Sequence, residues 1–182
     1  SKEFAFLPPE LGKLNSKKAI AHMEGDDRIW HSQKDLDKLQ NILEYFPPNV
    51  MDWLNSGENE LSLFVQLLDG LGKARFDCIH EDAGIIFDVK TTSSPDWFWK
   101  DVKKYGYDLQ AFFYKMVAEE YYGKDFRFIW IVVSTVAPFH TQWFEASEKT
   151  LNRGFENFEN ALEMLKNFTD NGIDLNLSDT IE

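Results

Sequence analysis

The sequence predicts a mixed α/β fold in which a central sheet is flanked by helices on both faces. The hydrophobic patterns give the order helix, three strands, two helices, two strands and a final helix. The 182 residues are 43% hydrophobic and 15% aromatic, which excludes a disordered chain and supplies enough apolar surface for a core. We therefore expect residues 1–182 to form one domain.

The N-terminal part predicts one clear helix. Residues 1–30 show no regular hydrophobic period, and they are expected to form an irregular arm. Ser32 is a typical N-cap, and apolar residues recur at helical spacing over 36–46, which predicts a helix that ends at two prolines. A short helical turn is expected at 50–54.

Three strands are predicted at residues 60–67, 73–80 and 84–91. Asp69-Gly70 is typical of a hairpin turn, and the connection at 81–84 is equally short, so we expect two antiparallel hairpins. The third strand begins with an unbroken apolar run, which indicates a buried central strand.

The C-terminal half predicts two helices, a hairpin and a long amphipathic helix. Their expected ranges are 96–104, 107–122, 127–136 with 139–145, and 148–168, followed by a loose tail over 169–182. Trp97 and Trp99 cannot face the same side of the first of these helices. One is expected to pack and the other to be exposed near the cleft, where a core or subunit-contact role is favoured over base stacking.

Acidic and basic residues on the second and third strands suggest a site for chemistry. Side chains alternate along a strand, so Asp88 and Lys90 share a face, and the hairpin brings Asp77 beside Asp88. Mg²⁺ usually takes one or two carboxylates, and an ammonium group can hold a water and offset charge that develops on phosphorus. A lone D-x-K pattern is more often a solvated strand edge, but Asp88 ends a buried run, where a charge requires a partner.

Three motifs in order resemble a known family. These are the G-x-x-R-x-D pattern, the strand ending D-V-K-T-T and the Y-x-x-Q-A-x-x-Y pattern, and the similarity around them covers about residues 58–122. Together they resemble the PD-(D/E)xK nucleases of the RecB and lambda-exonuclease kind, and most of all the RecE (exodeoxyribonuclease VIII) branch of phages and prophages. The resemblance implies a restriction-endonuclease-like α/β fold.

The resemblance also implies a role for each matching residue. The metal ligands are Asp77, Asp88 and the backbone carbonyl of Val89; Lys90 is the catalytic lysine; and Gln110 with Tyr114 forms the Q-x-x-x-Y element. A spacing of four places Gln110 and Tyr114 on one helical face. The alternative is that Tyr114 is a packed aromatic residue and Gln110 a helix-surface residue.

Two features depart from the family pattern. Its members carry a histidine on an upstream helix, whereas His22 lies close to the motifs and is expected to be a surface or packing residue. Either an upstream helix is missing from this chain, or the site is completed differently. Glu58 or Glu60 can supply a third carboxylate, although a charged strand entrance is the more common reason for such residues.

The charge pattern bears on DNA binding. A formal net charge of −12 is unfavourable for contact with phosphates, and nine acidic residues follow Phe144. The basic residues instead surround the motifs, which predicts a basic channel in an acidic protein. The expected DNA contacts are Lys73, Arg75, Thr91, Lys103 and Lys104.

The resemblance implies an exonuclease that uses Mg²⁺, with Mn²⁺ able to substitute. It also implies double-stranded DNA ends as substrate, 5′-to-3′ resection in phage recombination, a ring-like homo-oligomer and a single-strand annealing protein as partner. The alternatives are a Cas4- or RecB-like nuclease, or a nuclease-fold scaffold without activity. The single Cys78, expected in the core, argues against a four-cysteine iron–sulfur cluster. No apolar run of membrane-spanning length occurs, so we expect a cytoplasmic protein without a membrane partner.

Overall fold

The computed structural model describes residues 3–67 and 70–171, with side chains to 168. Its strands are β1 (Phe4–Phe6), β2 (Ile29–His31), β3 (Glu58–Leu67), β4 (Gly70–His80), β5 (Ile85–Thr92), β6 (Arg127–Ser134) and β7 (Thr141–Glu145). Its α-helices are α1 (Lys17–Met23), α2 (Gln33–Glu44), α3 (Pro48–Ser56), α4 (Phe98–Lys104), α5 (Tyr107–Tyr122) and α6 (Glu148–Asn171).

Strands β3 to β7 form the central sheet in sequence order. Strand β5 lies in the middle; it pairs parallel with β6, and every other neighbouring pair is antiparallel. The crossover from β5 to β6 contains α4 and α5, as a parallel connection requires. Both predicted hairpins, the mixed sheet and the central position of β5 are therefore confirmed.

Each face of the sheet carries its own apolar core. On one face, Phe76 and Phe128 belong to a cluster with residues of α4 and α5, and α6 packs behind it. On the other face, Cys78, Phe87 and Ile131 pack with Val50 of α3. The predicted α/β architecture with helices on both faces is confirmed, and so is the core position of Cys78. No helix in the described ranges has the length and apolarity needed to cross a membrane.

The N-terminal segment differs from the expected irregular arm. Strands β1 and β2 pair in parallel, and α1 begins at the N-cap Ser16, whose side chain accepts a hydrogen bond from the Ala19 N–H. The expected turn at 50–54 is the longer helix α3, which has Pro48 in its first turn. Strands β1 and β2 are short and far apart in the sequence, so the hydrophobic period of neighbouring residues does not predict that they pair.

The ends of several elements also differ from expectation. Strand β4 begins three residues early, β6 ends two residues early, and α6 continues to Asn171, beyond the predicted start of the loose tail. The remaining tail, residues 172–182, lies outside the described residues, as do Ser1, Lys2 and the predicted turn residue Asp69.

A buried aspartate fixes α5 against α6. The Asp108 carboxylate is ion-paired with Arg153 and accepts hydrogen bonds from Asn157 at 3.2 Å and from the Leu109 N–H at 2.9 Å. A Cβ added at Gly154 would overlap the Asp108 backbone carbonyl, so the two helices touch closely there. This contact holds α5 in place above the sheet.

Candidate active site

A gap opens between β4 and β5 where their backbone pairing stops. The two strands pair only over Cys78–His80 and Ile85–Phe87. Beyond that point, the Asp77 Oδ2 accepts the Val89 N–H at 2.8 Å, in place of a backbone oxygen from β4. The N–H and C=O of one strand residue point toward the same neighbour, so the Val89 carbonyl also faces this gap.

The sheet is irregular at Asp77. Phe76 and Ile79 both face the larger core, which is the one that packs against α4 and α5. Cys78 lies between them but faces the core that packs against α3, so the alternation of side chains reverses. Opposite Asp77, Glu60 adopts a left-handed backbone with φ of 56°. Such a conformation costs roughly 1–3 kcal/mol in a residue other than glycine and is often found at functional sites. The reversal turns the Asp77 carboxylate toward β5.

Asp88 is the buried carboxylate of the site, and the residue is 2% exposed. Its Oδ1 accepts a hydrogen bond from Gln110 Nε2 at 2.8 Å. Its Oδ2 forms an ion pair with Lys90 Nζ at 2.6 Å, and no second donor is directed at that oxygen among the described residues. Burial raises the pKa of Asp88 to about 6, against the opposing charge of Lys90 and with a further rise from Asp77.

Helix α5 holds the lysine as well as the aspartate. Lys90 Nζ lies 4.7 Å from the centre of the Tyr107 ring, and Tyr107 is one turn before Gln110 on the same helix. The ring face attracts the ammonium group. Tyr107 opens the Y-x-x-Q motif, yet sequence reasoning gave it no role. Two side chains of one helix thus position both Asp88 and Lys90.

Comparison with known proteins agrees with this geometry. A sequence model of the PDDEXK-like domain of unknown function (DUF3799) matches residues 13–175. The chain belongs to this family. It is thus a member of the PD-(D/E)xK superfamily, which supports its assignment as a nuclease.

The fold of this PDDEXK-like chain has a solved counterpart. A crystal structure from Eubacterium rectale, named "Putative exonuclease", is similar with a TM-score of 0.69 and 14% identity, over 91% of this chain and 68% of that one. At this identity the likeness shows the fold alone, which is the restriction-endonuclease-like fold that was expected. A search of curated proteins gives no significant match.

Tyr114 does not reach the carboxylates of the PDDEXK-like site. Its ring packs edge-on against Phe76 at 5.3 Å and Phe128 at 6.5 Å in the larger core. In the described ranges, no hydrogen bond connects it to Asp88. Gln110 thus contacts Asp88 whereas its motif partner packs in the core, and a catalytic role for Tyr114 stays a prediction.

The candidate third carboxylates point elsewhere. Glu60 is exposed and forms an ion pair with Arg75 at 2.5 Å, and Glu58 is exposed at the start of β3. His22 packs edge-on against Trp30 at 5.2 Å. Over the part of the chain that the structure describes, no group of three His, Cys, Asp or Glu residues is arranged to hold a metal ion.

The predicted DNA contacts fall into two groups. Lys73, beside the Phe64 ring, and Arg75, paired with Glu60, lie on the hairpin of β3 and β4. Thr91 is on β5 and lines a cleft of about 370 Å³, and Lys103 and Lys104 are in the last turn of α4, whose first residues line the same cleft. This second group is the one next to Lys90, which lines the same cleft.

The residues of the site fit a hard divalent cation. Asp77 and Asp88 supply carboxylate oxygens, the Val89 carbonyl faces the same gap, and Mg²⁺ usually takes one or two carboxylates with water in its remaining positions. The buried Oδ2 of Asp88 contacts the Lys90 ammonium group at 2.6 Å, and no second donor is directed at it among the described residues. Because a carboxylate oxygen has two acceptor positions, a cation beside Lys90 would fill the remaining one.

Proposed function

We propose that this chain is a Mg²⁺-dependent exodeoxyribonuclease that hydrolyses phosphodiester bonds at the ends of double-stranded DNA. The observation that carries the proposal is the buried Asp88, oriented by Gln110, beside Lys90 and next to Asp77 on the neighbouring strand. Membership of the PDDEXK-like family supports the same chemistry.

The side chains of the site have separate tasks. Asp77, Asp88 and the Val89 carbonyl would hold the cation, which when bound polarises the phosphoryl oxygen and acidifies water. The Lys90 ammonium would hold the attacking water near phosphorus and offset the negative charge that grows there. Tyr107 and Gln110 keep Lys90 and Asp88 in position while the P–O bond to the departing sugar breaks.

The resemblance to the RecE branch supports a more specific biological role. It favours 5′-to-3′ digestion in phage or prophage recombination in the bacterial cytoplasm, a homo-oligomeric ring around the duplex, and a single-strand annealing protein as partner. Mn²⁺ is expected to replace Mg²⁺, because both accept the carboxylate and carbonyl ligands that the site offers.

Digestion of linear and circular DNA tests the proposal. We expect wild-type protein with Mg²⁺ to release label from an end-labelled linear duplex and to leave a covalently closed circle intact. Asp88→Asn should abolish release, whereas Asp26→Asn, at an exposed ion pair with Arg28, should digest normally. Equal digestion by the wild type and Asp88→Asn would contradict the proposal, and cleavage of the circle would contradict its exonuclease part. Comparing 5′- and 3′-labelled strands gives the polarity.

Two observations favour a second candidate, a nuclease-fold module that binds DNA or protein without cutting. The described residues bring two carboxylates together rather than three, and the chain carries a net charge of −12. Such a module should bind Mn²⁺ weakly or not at all, and the wild type should leave linear DNA undigested. Metal binding at Asp77 and Asp88 together with digestion excludes it.

A further inference from the structure

Two tryptophans are exposed beside the cleft. Trp97 and Trp99 are 55% and 54% exposed, although only one of them was expected to face solvent. Phe98 between them is buried, and its ring stacks on those of Tyr107 and Phe144. Phe98 thus anchors the segment, and both indole rings are left in solvent. Adjacent large apolar side chains exposed in this way are typical of a binding surface.

Lysine side chains lie over these rings. Lys100 Nζ is 3.9 Å from the centre of a Trp97 ring and 5.4 Å from Trp99, and Lys104 Nζ is 4.7 Å from the Tyr105 ring. The aromatic–lysine face consists of Trp97, Trp99, Lys100, Lys103, Lys104 and Tyr105. Alternating aromatic rings and ammonium groups suit a ligand that alternates flat bases with phosphates.

The aromatic–lysine face is continuous with the candidate active site. The same cleft is lined by Lys90 at the end of β5 and by Trp97, Lys100 and Tyr105. A polymer bound with one phosphate at Lys90 would therefore extend directly onto this face. The continuity makes the face an extension of the site rather than an unrelated patch.

The local charge also suits a polyanion. The three lysines of the face are accompanied by two acidic residues, and each of these accepts a hydrogen bond from a neighbouring element. Asp101 accepts from Thr92 Oγ1 at 3.2 Å, and Asp96 accepts from Gln142 Nε2 at 3.2 Å. The surplus of lysine gives this face a positive charge within a chain of formal net charge −12.

We propose that the aromatic–lysine face binds an unpaired DNA strand next to the bond that is cut. Bases would stack on Trp97 and Trp99, while Lys100, Lys103 and Lys104 would contact phosphates. Inside a duplex each base is covered by its neighbours and only the terminal pair exposes one ring face, so stacking of successive bases on both tryptophans requires unpaired nucleotides. The inference rests on the proposed nuclease function and adds the form of its substrate, an end with a single-stranded tail.

Binding without cleavage tests the stacking. Fluorescence anisotropy in EDTA would compare a labelled oligothymidylate with a blunt duplex, using wild type, a Trp97→Ala/Trp99→Ala double variant and Trp143→Ala. Trp143 is a matched control, because it is half exposed on β7 and contacts Trp53. The double variant should bind the oligothymidylate roughly ten- to a hundred-fold more weakly, with duplex binding and the urea unfolding curve unchanged. Trp143→Ala should bind as the wild type does.

Two results of this binding experiment would overturn the inference. One is unchanged affinity of the double variant for the single strand. The other is an equal loss of affinity for single strand and duplex, which would make the face a general DNA contact. A double variant with an altered oligomeric state by sedimentation but unaltered DNA binding would mark a subunit contact instead.

Cleavage assays separate this inference from the proposed function. On a tailed duplex with Mg²⁺, the double variant should have a higher KM than the wild type. On a small phosphodiester its kcat should equal that of the wild type, because the tryptophans position DNA and do not touch the reacting atoms. Normal digestion by wild type and double variant alike would remove the inference and leave the nuclease. Tryptophan-dependent binding of single strands without any digestion would remove the nuclease function and leave the binding face.

Discussion

Two buried aspartates in this chain differ in the partners that the protein gives their carboxylates. Asp88 and Asp108 are 2% and 1% exposed. Asp108 is ion-paired with Arg153 and accepts hydrogen bonds from Asn157 and the Leu109 N–H. Asp88 accepts a hydrogen bond from Gln110 on one oxygen, and its other oxygen contacts the Lys90 ammonium group, which is the one cation beside it among the described residues.

The difference separates a structural carboxylate from the one that we propose to be functional. Asp108 is satisfied by the protein itself, so it holds α5 and α6 together and has no capacity for a ligand. Asp88 is removed from water by burial, which destabilises its charged form and raises its pKa to about 6 although Lys90 and Gln110 act to lower it. A protein retains such a group where binding or catalysis requires it.

Replacing the basic side chain beside each aspartate should affect activity in one case and stability in the other. Lys90→Met should lower the rate of DNA digestion roughly a hundred- to a thousand-fold, because no ammonium remains near the phosphate. Its stability should change little near neutral pH, since Asp88 can take up a proton. Steady-state digestion and urea unfolding measure the two quantities. A large loss of stability with normal activity would reverse the roles assigned to the two aspartates.

Arg153→Met should do the opposite. Breaking a buried ion pair strands the remaining charge, and because Arg153 is 31% exposed we place the loss near the lower limit, at about 3 kcal/mol of unfolding free energy. Urea denaturation measures it. Arg28→Met, at an exposed pair with Asp26, is the matched control and should change stability little. A loss no greater than that of the control would show that Asp108 does not hold the helices together.

The raised pKa of Asp88 predicts a pH dependence of stability in the metal-free protein. The folded state holds this proton more tightly than the unfolded chain, whose pKa is near 3.8. Asp88 therefore favours folding at low pH, and about 3 kcal/mol of this contribution is lost as the pH rises from about 4 through 6. Urea unfolding in EDTA at several pH values should show this loss in the wild type and not in Asp88→Asn. Parallel pH profiles would contradict the raised pKa.

Gln110→Ala should have a smaller effect. It removes the hydrogen bond that orients Asp88, and a bond to a charged group is worth about 1.5 kcal/mol, or roughly tenfold in rate. Single-turnover digestion measures the change. Gln66→Ala, on the exposed hairpin of β3 and β4, should digest DNA at the wild-type rate. Equal rates for the two variants would mean that Gln110 does not position Asp88.

The smallest effect is expected at Glu60. Its carboxylate pairs with Arg75 on the exposed surface, so Glu60→Gln should keep DNA digestion within roughly twofold of the wild type. Glu58→Gln should behave in the same way. A loss comparable to that of Lys90→Met would identify the third carboxylate that the sequence left open.

Local sequence rules predicted the central part of this site well. The two-residue period of a strand fixed Asp88 and Lys90 on one face, and the short turns fixed both hairpins. The apolar run before Asp88 correctly indicated a central strand, because only a buried strand is apolar on both faces. These features depend on neighbours in sequence, which is why the sequence reveals them.

Features that depend on distant residues were not predictable in this way. The pairing of Arg153 with Asp108 spans 45 residues, and β1 and β2 are three residues each, too short to show a period. The contact of Tyr107 with Lys90 depends on how α5 lies over the sheet. The exposure of both Trp97 and Trp99 follows from the burial of Phe98, which is decided by rings from other elements.

Calorimetric titration of Mn²⁺ tests most directly whether Asp77 and Asp88 form a site for a divalent cation. At a pH above the pKa of Asp88, the wild type and Asp108→Asn should bind the ion, whereas Asp88→Asn and Asp77→Asn should bind it far more weakly or not at all. Equal binding by all four proteins, or loss of binding in Asp108→Asn alone, would contradict the account.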